Sequence, residues 1–320
     1  MSTLILPRKD IKGLLNMSSV IEVVEEAFAA YAIGKAKMPP KSYLVVGSGD
    51  FRAMPASLPG AVGLKWVSVH PQNQSLGLPT VMAILIYNDP ATGYPLAIMD
   101  ATEITAYRTG AAAAVASKYL ARKDSKTLGL IGAGRQAHTQ LMAHTELFHF
   151  EEVRAYDRSS AAVRRLIEAF PQFPIRETSL MEAAGADIVC TVTPAREPVL
   201  MKSHVIPGTH INAVGADAEG KEELDPSILK QAIVVVDDLA QAREAGEINV
   251  PVRKGLFRVE EVYATLAQVV SGQKPLHRDK RDVTVFDSTG VAIEDIAVAK
   301  HIYDNAKEDG HCLAVDLIGE

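Results

Sequence analysis

The chain has 320 residues, 48% hydrophobic and 22% charged, which suits about two ordinary domains of roughly 150 residues and excludes overall disorder. With 33 basic against 39 acidic side chains and a net charge of −6, nothing points to nucleic acid as the main partner. No apolar run approaches the ~18 residues of a membrane span, the Leu-Ile-Leu stretch before Pro7 is too short for a secretory signal, and Cys190 with Cys312 makes no disulfide framework, which points to a reducing cytoplasm.

Residues 18–35 place Val20, Val23, Val24, Ala27, Phe28 and Tyr31 at helical spacing, with Ser18 or Ser19 as the cap and Met38-Pro-Pro as the stop. Strand-like segments follow at 42–46, 51–54, 63–69 and 80–88. The turn Asp89-Pro-Ala-Thr-Gly93 returns the last of these as a hairpin through 94–99. Asp100-Ala-Thr-Glu103 has capping-box spacing and opens an alanine-rich helix to about residue 121. Beyond a polar link at 122–126 the pattern changes. Apolar strands at 127–131, 153–156, 188–191, 210–214, 233–236 and 283–287 alternate with helices, and 290–305 is a final helix. The expected fold is α/β: a Rossmann-type doubly wound parallel sheet preceded by a strand-rich module.

The segment Gly132-Ala-Gly134-Arg-Gln-Ala137 stands directly after an apolar strand and opens a helix. Gly132 permits a tight turn, Gly134 lets a pyrophosphate approach the backbone, and Ala137 packs the helix closely on the strand. The unpaired N–H groups of the helix start then meet the phosphates. Asp157 ends the next strand, where an acid accepts from the adenosine ribose hydroxyls and repels a 2′-phosphate. That favours NAD over NADP, although Arg158 beside it can pair with such a phosphate. Thr191 and Val192 close the third strand of this fold and are placed to line the adenosine or ribose.

Several charged residues have two readings. Arg108 shares a helix face with Ile104, Ala111, Ala112 and Val115, so it needs an anion, either a ligand carboxylate or phosphate or an internal salt bridge. Lys65 interrupts an apolar strand and lines either a solvated edge or a site. Lys41 and Arg52 alone read as surface cations. Asp217 stands at the carboxyl end of a parallel strand, where open α/β sheets bind ligands, or is a plain loop residue. Ser288 and Thr289 are candidate caps for the last helix. The nine histidines show no zinc spacing, so no metal is expected. Asp237-Asp238 reads as a strand end with a solvated acid, and residues 274–281 as an exposed basic linker.

Motifs spread in order along nearly the whole chain resemble the ornithine cyclodeaminase/mu-crystallin family, and within it the archaeal-type NAD-dependent alanine dehydrogenases. They are Met38-Pro-Pro-Lys41, Arg52-Ala-Met-Pro55, Gly63-Leu-Lys65-Trp66, His70-Pro71, Gly77-Leu-Pro-Thr80, Arg108-Thr109-Gly110, Gly132-Ala-Gly-Arg135-Gln136-Ala137, Asn212-Ala-Val214-Gly215-Ala216-Asp217, Gly220-Lys221 and Phe286-Asp-Ser288-Thr-Gly290. The resemblance implies a homodimer with a dimerisation/substrate module at 1–118 and 291–320 and a Rossmann domain at 119–290. It implies that Lys65 stabilises the reacting oxygen, that Asp217 is the acid/base acting on water at an imine, and that Lys41, Arg52, Lys65 and Arg108 bind substrate. The implied cofactor set is Thr80, Arg108, Thr109, Gly132, Gly134, Arg135, Gln136, Asp157, Arg158, Thr191, Val192, Val214, Gly215, Ala216, Lys221 and Ser288, with Ser288 and Thr80 on the nicotinamide side.

One departure is informative. Cyclodeaminases carry a glutamate that grips the distal amine of ornithine two residues before Met-Pro, and here that position is Arg52. It would repel such an amine. That points to a small amino acid, and with it the resemblance to the alanine dehydrogenases implies reversible NAD-dependent deamination of L-alanine to pyruvate and ammonia as the expected activity. The alternatives are cyclodeamination, reduction of a cyclic ketimine, or a non-catalytic crystallin-like dinucleotide binder. Glu219 stands where the family often has proline.

Overall fold

The computed structural model describes residues 2–310 and 312–319 and divides into two units, residues 1–108 with 291–320 and residues 109–290. In the first unit β1 (Thr3–Leu6), β2 (Ser42–Val46), β3 (Gly49–Leu58), β4 (Ala61–Val69), β5 (Val81–Asn88), β6 (Pro95–Asp100) and β15 (Leu313–Val315) form a single sheet. Its order is β15-β1-β6-β5-β4-β3-β2. Strands β2 to β6 are an antiparallel meander, because successive residues alternate between faces and short turns join them. Helices α1 (Arg8–Leu14), α2 (Met17–Ala32) and α11 (Ala292–Asp309) belong to this unit, and α11 packs on α2, β3 and β4.

The pleat sorts the side chains. Lys65 pairs across with Met54 and Leu85, and Arg52 pairs with Tyr43 and Val67, so these residues share one face. Trp66 pairs with Ala53 and Ile84 on the other face, where Trp66, Met82, Ile84 and Leu44 are exposed. Helix α2 begins one residue earlier than its pattern predicts. Asn16 is the cap rather than Ser18 or Ser19, its side chain accepting from the Ser19 N–H at 3.1 Å. Val20, Val24, Ala27 and Phe28 are its buried stripe, each larger side chain contributing about 1.5–3 kcal/mol. The Leu-Ile-Leu stretch before Pro7, unassigned from sequence, is β1. It is held parallel to β6 and antiparallel to β15.

Helix α3 (Thr102–Leu120) carries the chain into the second unit. There β7 (Thr127–Ile131), β8 (Glu152–Tyr156), β9 (Ile175–Glu177), β10 (Ile188–Thr191), β11 (His210–Ala213), β12 (Ile233–Val236), β13 (Ala264–Thr265) and β14 (Thr284–Asp287) form a sheet in the order β13-β12-β14-β11-β10-β7-β8-β9. Every pairing in it is parallel. Helices α4 (Arg135–Leu147), α5 (Ser160–Ala169), α6 (Leu180–Ala184), α7 (Pro226–Leu229), α8 (Leu239–Ala245), α9 (Asn249–Arg253) and α10 (Leu266–Val270) intervene. Leu128, Leu130, Val153 and Ala155 enter one core, whereas Ile131, Val189, Ile211 and Val285 enter another. A sheet buried on both faces explains why its strands are apolar throughout.

Strand order reverses between β7 and β10, the position at which a doubly wound sheet opens its ligand crevice. β9 and β13 are too short to register in the sequence, so β10 is the fourth strand of this fold rather than the third. The last helix begins at Ala292 and runs to Asp309. No helix among the described residues is long and apolar enough to cross a membrane.

Candidate functional site

In the second unit the glycine turn lies at the reversal point. Gly132 has φ +98°, and a Cβ there would sit 3.0 Å from the Val192 carbonyl oxygen. Only glycine adopts that conformation easily and only glycine fits that gap. Its N–H donates to the Tyr156 carbonyl at 2.8 Å. Gly134 is the N-cap of α4, and a Cβ built on it meets nothing within 4 Å. Gly134 and Arg135 are exposed, Gln136 is half-buried and Ala137 is fully buried. The start of α4 therefore presents backbone N–H groups to open space, as a phosphate-binding turn requires. Asp157 steadies this turn, accepting from the Ala133 N–H at 2.8 Å with one oxygen and from the Ser159 N–H at 2.8 Å with the other. Arg158 is exposed.

The neighbouring loops are fixed by acids. Glu223 is fully buried. It accepts from the Thr191 hydroxyl, the Gly215 N–H, the Thr193 N–H and the Thr193 hydroxyl, each at 2.7 Å. Thr191 is itself fully buried, and its hydroxyl serves Glu223. Val192 and Val214 continue the strand-end ladder through the Ile131 and Thr191 carbonyls, and Ala216 is buried beside them. Asp217 is partly exposed and pairs with Lys221 at 2.5 Å. Asn249 holds the loop between them, accepting from the Gly220 N–H and donating to the Lys221 carbonyl, both at 3.0 Å. Glu219 pairs with Arg253 on the outside of the loop. Thr109 is buried in α3, its carbonyl accepting from Gln140 at 3.4 Å.

In the first unit the sequence-selected cations meet on the inner face of the sheet. Lys65 is fully buried in a central strand, which removes the solvated-edge reading. Its Nζ lies 2.7 Å from Asp295 Oδ2, at ion-pair distance but off the axis of a good hydrogen bond. Arg108 donates from Nε to Asp295 Oδ1 at 3.0 Å and from a terminal nitrogen to Glu294 Oε2 at 2.6 Å. The internal salt bridge considered for Arg108 is present. Burial, then the Arg108 charge, pushes the Lys65 ammonium down to about 7 against the pull of Asp295, with Lys41 adding to the depression. Arg52 is no surface cation. It is buried, bonded to Asp50 at 2.6 and 3.3 Å, and stacked on Tyr43 with 5.3 Å to the ring centre. Lys41 is half-buried. Thr80 precedes β5, and its carbonyl accepts from the His70 N–H at 2.8 Å.

A sequence model of the ornithine cyclodeaminase/mu-crystallin family matches residues 1–310. The chain belongs to that family. Alanine dehydrogenase of Archaeoglobus fulgidus is 51% identical over 308 residues, 96% of either chain. A solved archaeal alanine dehydrogenase dimer with bound NAD matches at TM-score 0.97 and 49% identity, covering 99% of this chain and 100% of that one. Thermococcus litoralis Delta(1)-pyrroline-2-carboxylate reductase, in complex with NADH and L-proline, matches at TM-score 0.95 and 40% identity, covering 98% and 100%.

Further sequence expectations for this ornithine cyclodeaminase/mu-crystallin family chain are corrected or refined. Asp237 is not a solvated strand end. It is fully buried and accepts from the Thr289 N–H at 2.6 Å, the Thr289 hydroxyl at 3.0 Å and the Gly290 N–H at 2.7 Å. Ser288 and Thr289 therefore do not cap the last helix, whose N-cap is Val291 with no side-chain bond; Ser288 is buried, its N–H bonded to the Ala213 carbonyl at 3.0 Å. Residues 274–281 are largely exposed as expected, with half-buried Arg278 anchoring them by donating to the Leu120, Gly208 and Asp282 carbonyls. Sequence reasoning also missed Asp50, Glu223, Asn249, Glu294 and Asp295. Asp50 had a usable signal, since residues i and i+2 share a strand face.

Proposed function

We propose that this chain catalyses the reversible NAD-dependent conversion of L-alanine and water to pyruvate and ammonium. One observation carries the reading: Lys65 is a fully buried amine lowered to about 7 beside Arg108 and in the field of Lys41. Such a group gives and takes a proton near neutrality, which an imine and carbinolamine reaction needs. The identity to an alanine dehydrogenase over nearly the whole chain supports the same activity, and the family assignment supports an enzyme of amino acid and 2-oxo acid chemistry.

The glycine turn suits a dinucleotide, since Gly132 permits the tight turn against Val192 and Gly134 leaves open space at the α4 N-terminus. Asp157 at the end of β8 favours NAD. NAD supplies the acceptor for the hydride leaving the alanine Cα. The chain's own groups do the rest. Lys41, Arg52 and Arg108 bind the substrate carboxylate; Asp50 fixes the direction of Arg52, as Glu294 and Asp295 fix that of Arg108. Asp217, steadied by Lys221, removes a proton from the water that attacks the iminium carbon. Lys65 holds the oxygen that develops there and donates a proton as ammonia departs. The products are pyruvate, ammonium, NADH and a proton.

In this reading residues 109–290 form the dinucleotide-binding unit, and 1–108 with 291–320 the substrate and dimerisation unit. The exposed outer face around Trp66, Met82, Ile84 and Leu44 suits burial against a second copy, in keeping with the dimer formed by the similar alanine dehydrogenase. A chain with only two cysteines, Cys190 and Cys312, suits a reducing cytoplasm. A second reading, reduction of a cyclic imine, draws on the likeness to the pyrroline-2-carboxylate reductase and uses the same lysine. The test follows NADH oxidation with a panel of 2-oxo acids, with and without ammonium, and with Delta(1)-pyrroline-2-carboxylate alone. Fastest turnover with pyruvate plus ammonium supports the first reading, and fastest turnover with the cyclic imine supports the second. NADH binding without turnover on any of them would indicate a non-catalytic dinucleotide binder.

A further inference from the structure

We propose that Asp295 is a positioning residue for Lys65, and that the first turn of α11 is the built-in counter-charge that keeps this lysine aimed and protonated for catalysis. The inference rests on the proposed role of Lys65 as proton donor. Asp295 bridges the two cations, with Oδ2 2.7 Å from Lys65 Nζ and Oδ1 3.0 Å from Arg108 Nε. Glu294 takes the next position on Arg108 at 2.6 Å. All four residues are buried. Isolated buried charges of this kind are costly, so each cation needs its acid. Both acids lie in the first turn of α11, where the unpaired N–H groups and the helix dipole favour negative charge.

A separate feature seats the helix. Gly63, two residues before Lys65 on the same face, has no room for a side chain: a Cβ would lie 2.9 Å from Ile296 Cδ1 and 2.5 Å from the Ile86 carbonyl oxygen. The glycine lets α11 settle against β4 where Asp295, adjacent to Ile296, reaches Lys65. The charges acting on Lys65 are Arg108 from α3, Asp295 from α11 and Lys41 from the segment entering β2, with Glu294 behind Arg108, while Met54 and Leu85 on the flanking strands are apolar. Burial and the two cations depress the ammonium, and Asp295 opposes them. Without that carboxylate Lys65 would lose its proton at lower pH.

The test compares wild type with Asp295→Asn and Asp295→Glu. The pH profile of kcat/KM for pyruvate with ammonium is expected to lose its alkaline limb at a pH lower by roughly one unit in Asp295→Asn. Asp295→Glu, which keeps the charge, returns the limb to its wild-type position. An Asp295→Asn limb at the wild-type pH would overturn the proposal even if the rate fell. A second measurement needs no turnover: the Tm values of Lys65→Met, Asp295→Asn and the double variant. The two single losses are expected to exceed the loss in the double variant, because the pair is coupled. Additive losses would overturn the proposal whether or not Asp295→Asn is stable enough to assay. A wild-type enzyme inert toward every 2-oxo acid, with the coupling intact, would instead remove the reading of Lys65 as a proton donor and leave the positioning pair standing.

Discussion

Replacing His144 with glutamine is expected to make the protein markedly less sensitive to acid. His144 is fully buried, with Nδ1 2.8 Å from the Gln140 carbonyl. A carbonyl only accepts, so Nδ1 carries the proton and Nε2 must accept, from the Ser117 hydroxyl at 2.9 Å and the Asn212 amide at 3.3 Å. A second ring proton would face the Asn212 N–H2 and turn the Ser117 hydroxyl from donor to acceptor, in a space without surface. Burial accordingly holds His144 down to about 4. It holds His210, bonded at 2.9 Å to the Thr284 hydroxyl and at 3.2 Å to Asn212, down to about 3. In the unfolded chain both rings titrate near their ordinary value of about 6.5. The unfolded state therefore binds more protons at moderately acid pH. The stability from keeping the rings neutral is complete above about pH 6.5 and is lost as pH falls toward the folded values. At pH 5 the loss is about 2 kcal/mol per ring, a sizeable part of a total near 5–15 kcal/mol. Urea denaturation of wild type and His144→Gln at pH 8 and pH 5 measures it. Between those pH values the variant should lose about 2 kcal/mol less than wild type. Equal losses would refute the assignment of a neutral, proton-refusing ring.

Other substitutions test the dinucleotide edge. Gly132→Ala forces an alanine to φ +98° against the Val192 carbonyl; it should cost about 1–3 kcal/mol and weaken NADH binding in a fluorescence titration, and unchanged affinity would show the turn to be idle. Glu223→Gln puts an amide donor among four donors; it should lower stability by about 3 kcal/mol and raise the Kd for NADH, whereas a silent substitution would contradict the loop-fixing role. Asp157→Ser should narrow the preference for NADH over NADPH by roughly tenfold, about 1.4 kcal/mol of differential binding. A preference that stays the same would move cofactor selection elsewhere.

What the sequence carried and what it did not have physical reasons. The Rossmann unit was legible because its strands are continuous apolar runs and the glycine turn depends on local backbone geometry. Two-residue β13 and three-residue β9 and β15 were not, because strands this short are stabilised by their neighbours and leave no period to read. Lys65 was legible as an anomaly, a charge in an apolar strand. Its partner was not, because Asp295 lies 230 positions away in the chain and looks like any acid in a first helical turn. The same holds for Asp237, which reads as a solvated strand end until Thr289 and Gly290 are folded onto it. Charges that define a site from a distance are invisible to spacing arguments. Asp50 and Arg52 are the exception that period-two reasoning can find.

The central claim is that this chain makes and breaks the carbon–nitrogen bond of alanine while exchanging one hydride. The most direct measurement incubates the enzyme with pyruvate, NADH and 15N-ammonium, and counts labelled alanine against NADH consumed. One 15N-alanine for each NADH, sustained over many turnovers, is the predicted result. NADH consumption that halts at one equivalent per subunit, or that continues without nitrogen label appearing in alanine, would contradict the account.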